Sequence, residues 1–229
     1  MATKKVQIEF FHDVICSFCF PMSYRMRQLQ KAMPDLEIIH RSFALVSQPS
    51  DFDRMFGSRE RAKDEIITHW AQANQQDELR RFNSAGMQAA DFPFPISMPG
   101  LHAAKAAWFV GGEAAYWDAF DALQAAFFMH SQNIEQDDAI YAAIRSTDID
   151  FDEWKKHFKS DKVKAAVQAD FAKARQYGLR GVPALVINQS QIIPGALPLE
   201  KLKQLITEIR DQMPDEDTAV GMCTPEGCL

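Results

Sequence analysis

Cys16 and Cys19, in the stretch "FFHDVICSFCFPMSYRMRQL", are the first residues whose types and spacing could do chemistry. Two cysteines two residues apart can clasp a metal ion, close a structural disulfide or shuttle electrons. A second pair, Cys223 and Cys228, closes "CTPEGC" far down the chain. The Pro-Glu-Gly between them is turn chemistry, which would bring two sulfurs together. Electron shuttling needs a thiolate, and the unpaired N–H groups of a helix N-terminus stabilise one. Redox use of the first pair therefore requires a strand that delivers Cys16 and a helix that starts behind it. Ser17 and Phe18 add a hydroxyl or N–H donor and an apolar docking surface, but no positive charge.

The flanking segments meet that requirement. "KVQIEFFHDV" is rich in β-branched and aromatic residues and reads as a buried strand. "SFCFPMSYRMRQLQKAM" turns helical, with Met22, Met26, Leu29 and Met33 at helical spacing, Pro21 tolerated in the first turn and Pro34 as the stop. "LEIIHRSFAL" is a second strand, and a strand, a helix and a strand this close predict a parallel pair with a right-handed crossover. From about residue 58 to 160 the pattern is helical, with a break at Gly111-Gly112. Its aromatics, Trp108, Phe109, Tyr116, Trp117, Phe120, Phe127 and Phe128, recur as a helix-packing core. A long helix then ends near Gly178, followed by a strand, a tight turn at Asn188 to Ser190, a strand and a helix. This predicts an α/β redox-type domain, residues 1–50 and 160–214, split by an all-helical insertion, 51–159, and followed by an acidic tail, 215–229.

Bulk composition bounds the rest. With 229 residues, 47% hydrophobic and 24% charged, the chain can bury a substantial core. A net charge of −6 argues against nucleic acid or an anionic membrane as partner. No apolar run is long enough for a transmembrane helix. Lys4 and Lys5 precede an apolar stretch, but Gln7, Glu9, His12 and Asp13 interrupt it and no small-residue cleavage pattern follows. The expectation is a strand of the mature fold and a cytoplasmic protein, where four cysteines suit redox chemistry or metal binding better than a disulfide framework. The six histidines show no metal-ligand spacing, and most are read as surface or packing residues. His12 and Asp13, nearest Cys16, read as a strand-end polar cap that could tune the thiol; Glu9 reads as a buried acid near Cys19 or an edge-facing, solvated one. No serine elbow, phosphate loop or dinucleotide fingerprint is present.

One further motif narrows the chemistry. "GLRGVPALVIN" sets Pro183, after Val182, at the start of a strand, where its bond can be cis. With "HDVICSFCFP", "PGLHAAKAA", "LQAAFFMHSQNIEQDDAI", "ARQYGLRGVPALVIN" and "IPGALPLEKL" in order, the chain resembles the DsbA-like thioredoxin superfamily with an inserted helical domain, in its FrnE-like branch. The resemblance implies a thioredoxin-like fold and thiol–disulfide exchange with protein or peptide substrates, without an organic cofactor. It implies Cys16 as nucleophile, Cys19 as its partner and Pro183 as the cis proline, with Val182, Ser17 and Phe18 contacting substrate. Relatives usually carry Pro-Trp between the cysteines, and here Ser-Phe bears on redox potential rather than reaction type. Other relatives, glutathione transferases of the kappa class and hydroxychromene carboxylate isomerases, replace the pair by one serine; the intact pair argues against their chemistry. For Cys223 and Cys228 three readings stand: a dithiol relay with Cys16–Cys19, a four-cysteine metal site or a peripheral disulfide. The relay is favoured because a tail can reach an exposed nucleophile, whereas Pro183 opposes metal. A metal-binding stress protein is the remaining alternative class, and oligomeric state stays open, a dimer included.

Overall fold

The computed structural model of the chain describes residues 5–213, together with the backbone of 223–224 and 227–228. At its centre runs β1 (Gln7–His12), buried from Ile8 onward. It pairs in parallel with β2 (Glu37–Ser42), Ile8 opposite Ile38, and antiparallel with β3 (Ala184–Ile187), Phe10 opposite Leu185. β4 (Gln191–Pro194) completes a sheet in the order β2-β1-β3-β4. Asn188 and Gln189 turn the β3–β4 hairpin with positive φ angles of 48° and 57°. The crossover from β1 to β2 is α1 (Cys19–Ala32), ending just before Pro34. Its buried Met22, Met26 and Leu29 share one apolar cluster with Ile8, Phe10, Leu185 and Ile187, and with Leu202 and Ile206 of α9 (Leu199–Gln212).

Between β2 and β3 the described elements are all helical: α2 (Ser50–Phe56), α3 (Arg59–Gln76), α4 (Ser84–Ala89), α5 (Met98–Gln124), α6 (Asp137–Arg145), α7 (Phe151–His157) and α8 (Asp161–Gln176). α5 breaks where the sequence predicts, because Gly112 adopts φ 64° and ψ −150°, a conformation a side chain resists. It continues into a π-helical turn, Ala125–Met129. Trp70, Phe94, Phe120, Phe127 and Phe128 pack in one cluster that also takes in Cys16, Cys19 and Phe20. The helical block is thus built directly against the two-cysteine turn. Trp108 departs from the expected core: it is 39% exposed and donates its indole N–H to Glu113 Oε1 at 2.8 Å. In the tail, β5 (Cys223–Thr224) and β6 (Gly227–Cys228) pair antiparallel with Cys223 opposite Cys228. The side chains of that pair lie outside the described residues.

Carboxylates hold the helices to the β2 edge. The amides of His40 and Ser42 donate to Glu113 Oε2 of α5 at 2.8 Å and to Asp170 Oδ2 of α8 at 3.0 Å. Asp170 also pairs with Lys105 Nζ at 2.5 Å and Arg41 at 3.2 Å, and Arg41 pairs with Glu9 at 2.7 Å. Glu9 accepts from Tyr177 Oη at 2.6 Å as well, so this strand acid is buried but belongs to the ionic network, neither beside Cys19 nor solvated. Buried charges satisfied on this many sides keep a fixed geometry that a lone charge could not.

Two histidines that look unrelated in sequence meet on the opposite face. His12 Nε2 and His40 Nδ1 share a hydrogen bond of 3.0 Å among Phe10, Tyr116 and Phe120, leaving His12 Nδ1 and His40 Nε2 without partners. Burial pushes both well below the ordinary histidine range, helped by His40 and Lys105 for His12 and by Arg27 and Lys105 for His40. The unfolded chain therefore binds protons that the folded one refuses, so their contribution is full above about pH 6.5 and is lost as pH falls. Unfolding free energy is expected to drop below pH 6.5 by up to about 1.4 kcal/mol per pH unit for each histidine. Urea titrations at pH 6.5 and 5.5 check this, and a double variant, His12→Phe with His40→Phe, is expected to lose the fall.

Candidate functional site

β1 ends at His12, and residues 13–18 turn the chain into α1. The turn is closed by Cys16 N donating to Asp13 O at 3.2 Å and Cys19 N donating to Cys16 O at 3.0 Å. The first helical residue is Cys19, so Cys16 precedes the helix rather than opening it. Both are free thiols; Cys19 is fully buried and Cys16 keeps 4% of its surface. Cys16 Sγ donates to the carbonyl of Val182 at 3.5 Å. The Val182–Pro183 peptide is cis, and the Pro183 carbonyl accepts from Gly195 N at 2.8 Å, fixing the start of β3 against the end of β4. Beside it opens a groove of about 400 Å³ lined by Arg180, Val182, Pro183, Ile192 and Pro194. Ser17, Phe18 and Val182 are partly exposed around the sulfur, whereas Pro183 is buried. Burial pushes the Cys19 thiol up, reinforced by its hydrogen bond to Cys16 and by the charges of Cys16 and Asp13. The arrangement sets one sulfur, on a residue that keeps a trace of exposed surface, before a second that is fully buried and holds its proton.

Cys16, Cys19, Val182 and Pro183 are thus brought together, with Ser17 and Phe18 at their rim; Cys223 and Cys228 have no described side chains to compare. Sequence reading underrated Asp13, taken as a polar cap, and missed Ser97 and Gly100. Asp13 accepts from Ile15 N at 3.2 Å through one carboxyl oxygen, and from Leu45 N at 2.7 Å and Ser97 Oγ at 2.6 Å through the other. Its carbonyl also accepts from Gln124 Nε2 at 3.4 Å. Ser97 in turn accepts from Val46 N at 3.0 Å and donates its amide to Val46 O at 2.8 Å. One turn on, a Cβ on Gly100 would meet Val14 Cγ2 at 2.6 Å, so only glycine lets α5 approach the cysteine turn this closely. Asp13 and Ser97 are 84 residues apart, and no local pattern announces such a pairing.

Burial raises the Asp13 carboxyl from 3.8 to about 6, against the pull of Leu45, Ser97 and Ile15. A raised acid favours the folded chain below pH 3.8 and loses that contribution as pH climbs through 6. Asp13→Asn keeps one acceptor and turns an N–H₂ toward the donors, so it is expected to destabilise by about 1–3 kcal/mol at low pH. The deficit relative to wild type should shrink, by up to about 3 kcal/mol, as pH rises from 4 to 7. Paired urea titrations measure it, and a pH-independent difference would show that the carboxyl titrates normally.

Among the described residues no three His, Cys, Asp or Glu side chains are grouped to hold a metal ion, and no helix is long and apolar enough to cross a membrane. A family profile for the DSBA-like thioredoxin domain matches residues 7–207. No curated protein sequence matches significantly. Among solved structures, a candidate protein disulfide isomerase from Nitrosomonas europaea superposes with a TM-score of 0.75 at 19% identity, covering 92% of this chain and 100% of its own. A candidate DsbA oxidoreductase from Streptomyces coelicolor reaches 0.71 at 19% identity, covering 98% of each chain. The cytosolic disulfide reductase DsbM from Pseudomonas aeruginosa reaches 0.63 at 14% identity, covering 90% of this chain and 95% of its own. These likenesses carry the fold: a thioredoxin-like sheet with a helical insertion. The match to the family profile across most of the sequence says the rest: the chain belongs to the DSBA-like thioredoxin domain family and is, with it, a thiol–disulfide oxidoreductase.

Proposed function

We propose that the protein exchanges electrons with protein or peptide substrates through the Cys16–Cys19 couple. The contact of Cys16 Sγ with the Val182 carbonyl carries this reading, because two motifs 166 residues apart meet at one sulfur. In the reductive direction the Cys16 thiolate attacks a substrate disulfide, forming a mixed disulfide and releasing one substrate thiolate. Cys19 then gives up its proton and attacks Cys16 Sγ, which releases the second substrate thiolate. The substrate gains two electrons and two protons, and the protein is left with a Cys16–Cys19 disulfide; the oxidative direction is the reverse. Burial that keeps Cys19 protonated suits it to the second step. An extended substrate segment would pair with the Val182 backbone in the groove along Pro183, with Ser17 and Phe18 beside the reacting sulfurs. In this reading residues 1–50 and 160–214 form the redox domain, residues 51–159 cap it, and no organic cofactor is needed.

The reading extends to Cys223 and Cys228 as a second dithiol that passes electrons to the first, the arrangement of the FrnE-like branch. Asn188 ties Met213 to the N-terminal end of β1, bonding Met213 Sδ at 3.6 Å and Gln7 O at 2.9 Å. The strand covers about 17 Å from there to His12, while residues 214–222, fully extended, reach about 30 Å. A tail longer than that strand supports an exchange with Cys16 of its own chain. A cytoplasmic setting goes with this reading, as in the cytosolic reductase DsbM.

Insulin reduction and dithiol oxidation by four proteins test both halves. Cys16→Ser is expected to fall to the uncatalysed background, and Cys19→Ser to accumulate mixed disulfide; full activity in Cys16→Ser would sink the reading. Truncation after Met213 is expected to slow turnover while sparing the first exchange, and unaltered turnover removes the relay. Activity that survives Cys19→Ser and requires glutathione would replace this reading with a glutathione-dependent transferase or isomerase.

A further inference from the structure

A second cavity, of about 230 Å³, borders the proline groove. Phe43, Ala44 and Ser47, just after β2, form one wall, and Phe171, Arg175 and Leu179, from α8 and its end, form the other. Phe43 N donates to His12 O at 2.9 Å, and Leu45 N donates to Asp13, so that wall is fastened to the turn that carries Cys16. Val182, whose carbonyl touches Cys16 Sγ, packs against the same small apolar cluster as Phe43 and Leu179. Leu179 also lines the proline groove, so the two recesses share a residue. A peptide lying along Val182 therefore has an apolar recess within reach of a neighbouring side chain.

Charge at the rim says what would enter. Arg175 and Arg180 are exposed and form no ion pair with any described residue, in a chain of net charge −6. Other cations of the surface, such as Lys156 with Glu153 and Lys203 with Glu200, have a carboxylate within reach. These two arginines sit one at each recess.

We propose that the cavity between the segment after β2 and the end of α8 is a specificity subsite that seats a large apolar side chain of a protein disulfide substrate, with Arg175 pairing an acidic residue beside it. The proposal rests on Cys16 as the nucleophile, and it adds which substrates are preferred. Burying one such side chain is worth about 1.5–3 kcal/mol, or roughly 10- to 100-fold in rate constant when the gain is realised in the transition state.

The test uses the full chain, pre-reduced, in single-turnover reaction with two probes. One is a disulfide-linked peptide with Phe and Asp on both sides of its cysteine; the other is bis(2-hydroxyethyl) disulfide, too small to fill the cavity. The readout is the ratio of their second-order rate constants. Ala44→Leu, which fills the cavity, is expected to lower that ratio at least 10-fold, and Arg175→Glu, at an exposed position that folding tolerates, about fivefold. Exchanging Phe and Asp for Ala and Lys in the peptide should lower it comparably in the wild type and little in Ala44→Leu. A ratio that stays within twofold in Arg175→Glu and in the exchanged peptide overturns the proposal. A wild type that reduces neither probe, or a Cys16→Ser variant that reduces both, overturns the reading beneath it as well.

Discussion

The whole site hangs on one buried carboxyl group. Asp13 gathers donors from the cysteine turn, from the segment after β2 and from the start of α5, three pieces of chain far apart in sequence. A hydrophobic contact could hold them together but would not set their angles, since it has no direction. A shared acceptor does, because each N–H or O–H must point at it. The cost is a carboxyl group pushed up to about 6 by its own burial. Its return is a cysteine turn tied at Ile15 to the segment after β2 and to the start of α5.

Much of this was legible from the sequence, for reasons that differ by element. The strand–turn–helix around Cys16 and the strand behind Pro183 declare themselves through local rules of propensity, proline geometry and spacing. The break in α5 was legible too, because Gly111-Gly112 is a local signal. What stayed hidden depends on pairs far apart in the chain: Asp13 with Ser97, His12 with His40, Glu9 with Tyr177. Each partner alone reads as an ordinary surface or cap residue, and only the fold makes them neighbours. Trp108 fails for a related reason, since its helical spacing matches the core while its indole N–H finds Glu113 at the surface.

The two faces of the sheet solve the burial of polar groups in opposite ways. Toward α8, Glu9, Arg41, Asp170 and Lys105 alternate in sign, so each charge is met by another. Toward the middle of α5, His12 and His40 are kept neutral among aromatic rings and satisfy only one another. The second arrangement holds only so long as protons stay away. Both lie where the helical block meets the sheet, so the cap's attachment mixes an ionic joint with a neutral, aromatic-lined one.

The sealed edge at β2 has a consequence for how copies of this chain can meet. A sheet grows into a fibre only if each unit offers two open edges, one to receive a strand and one to pass the pairing on. Here Glu113 and Asp170 already occupy the amides of His40 and Ser42 on the β2 side. Among the described residues no strand lies beyond β4, and the described sheet keeps its open edge there. Two units joined there have used up what each can offer, so edge-to-edge assembly closes at a pair instead of propagating.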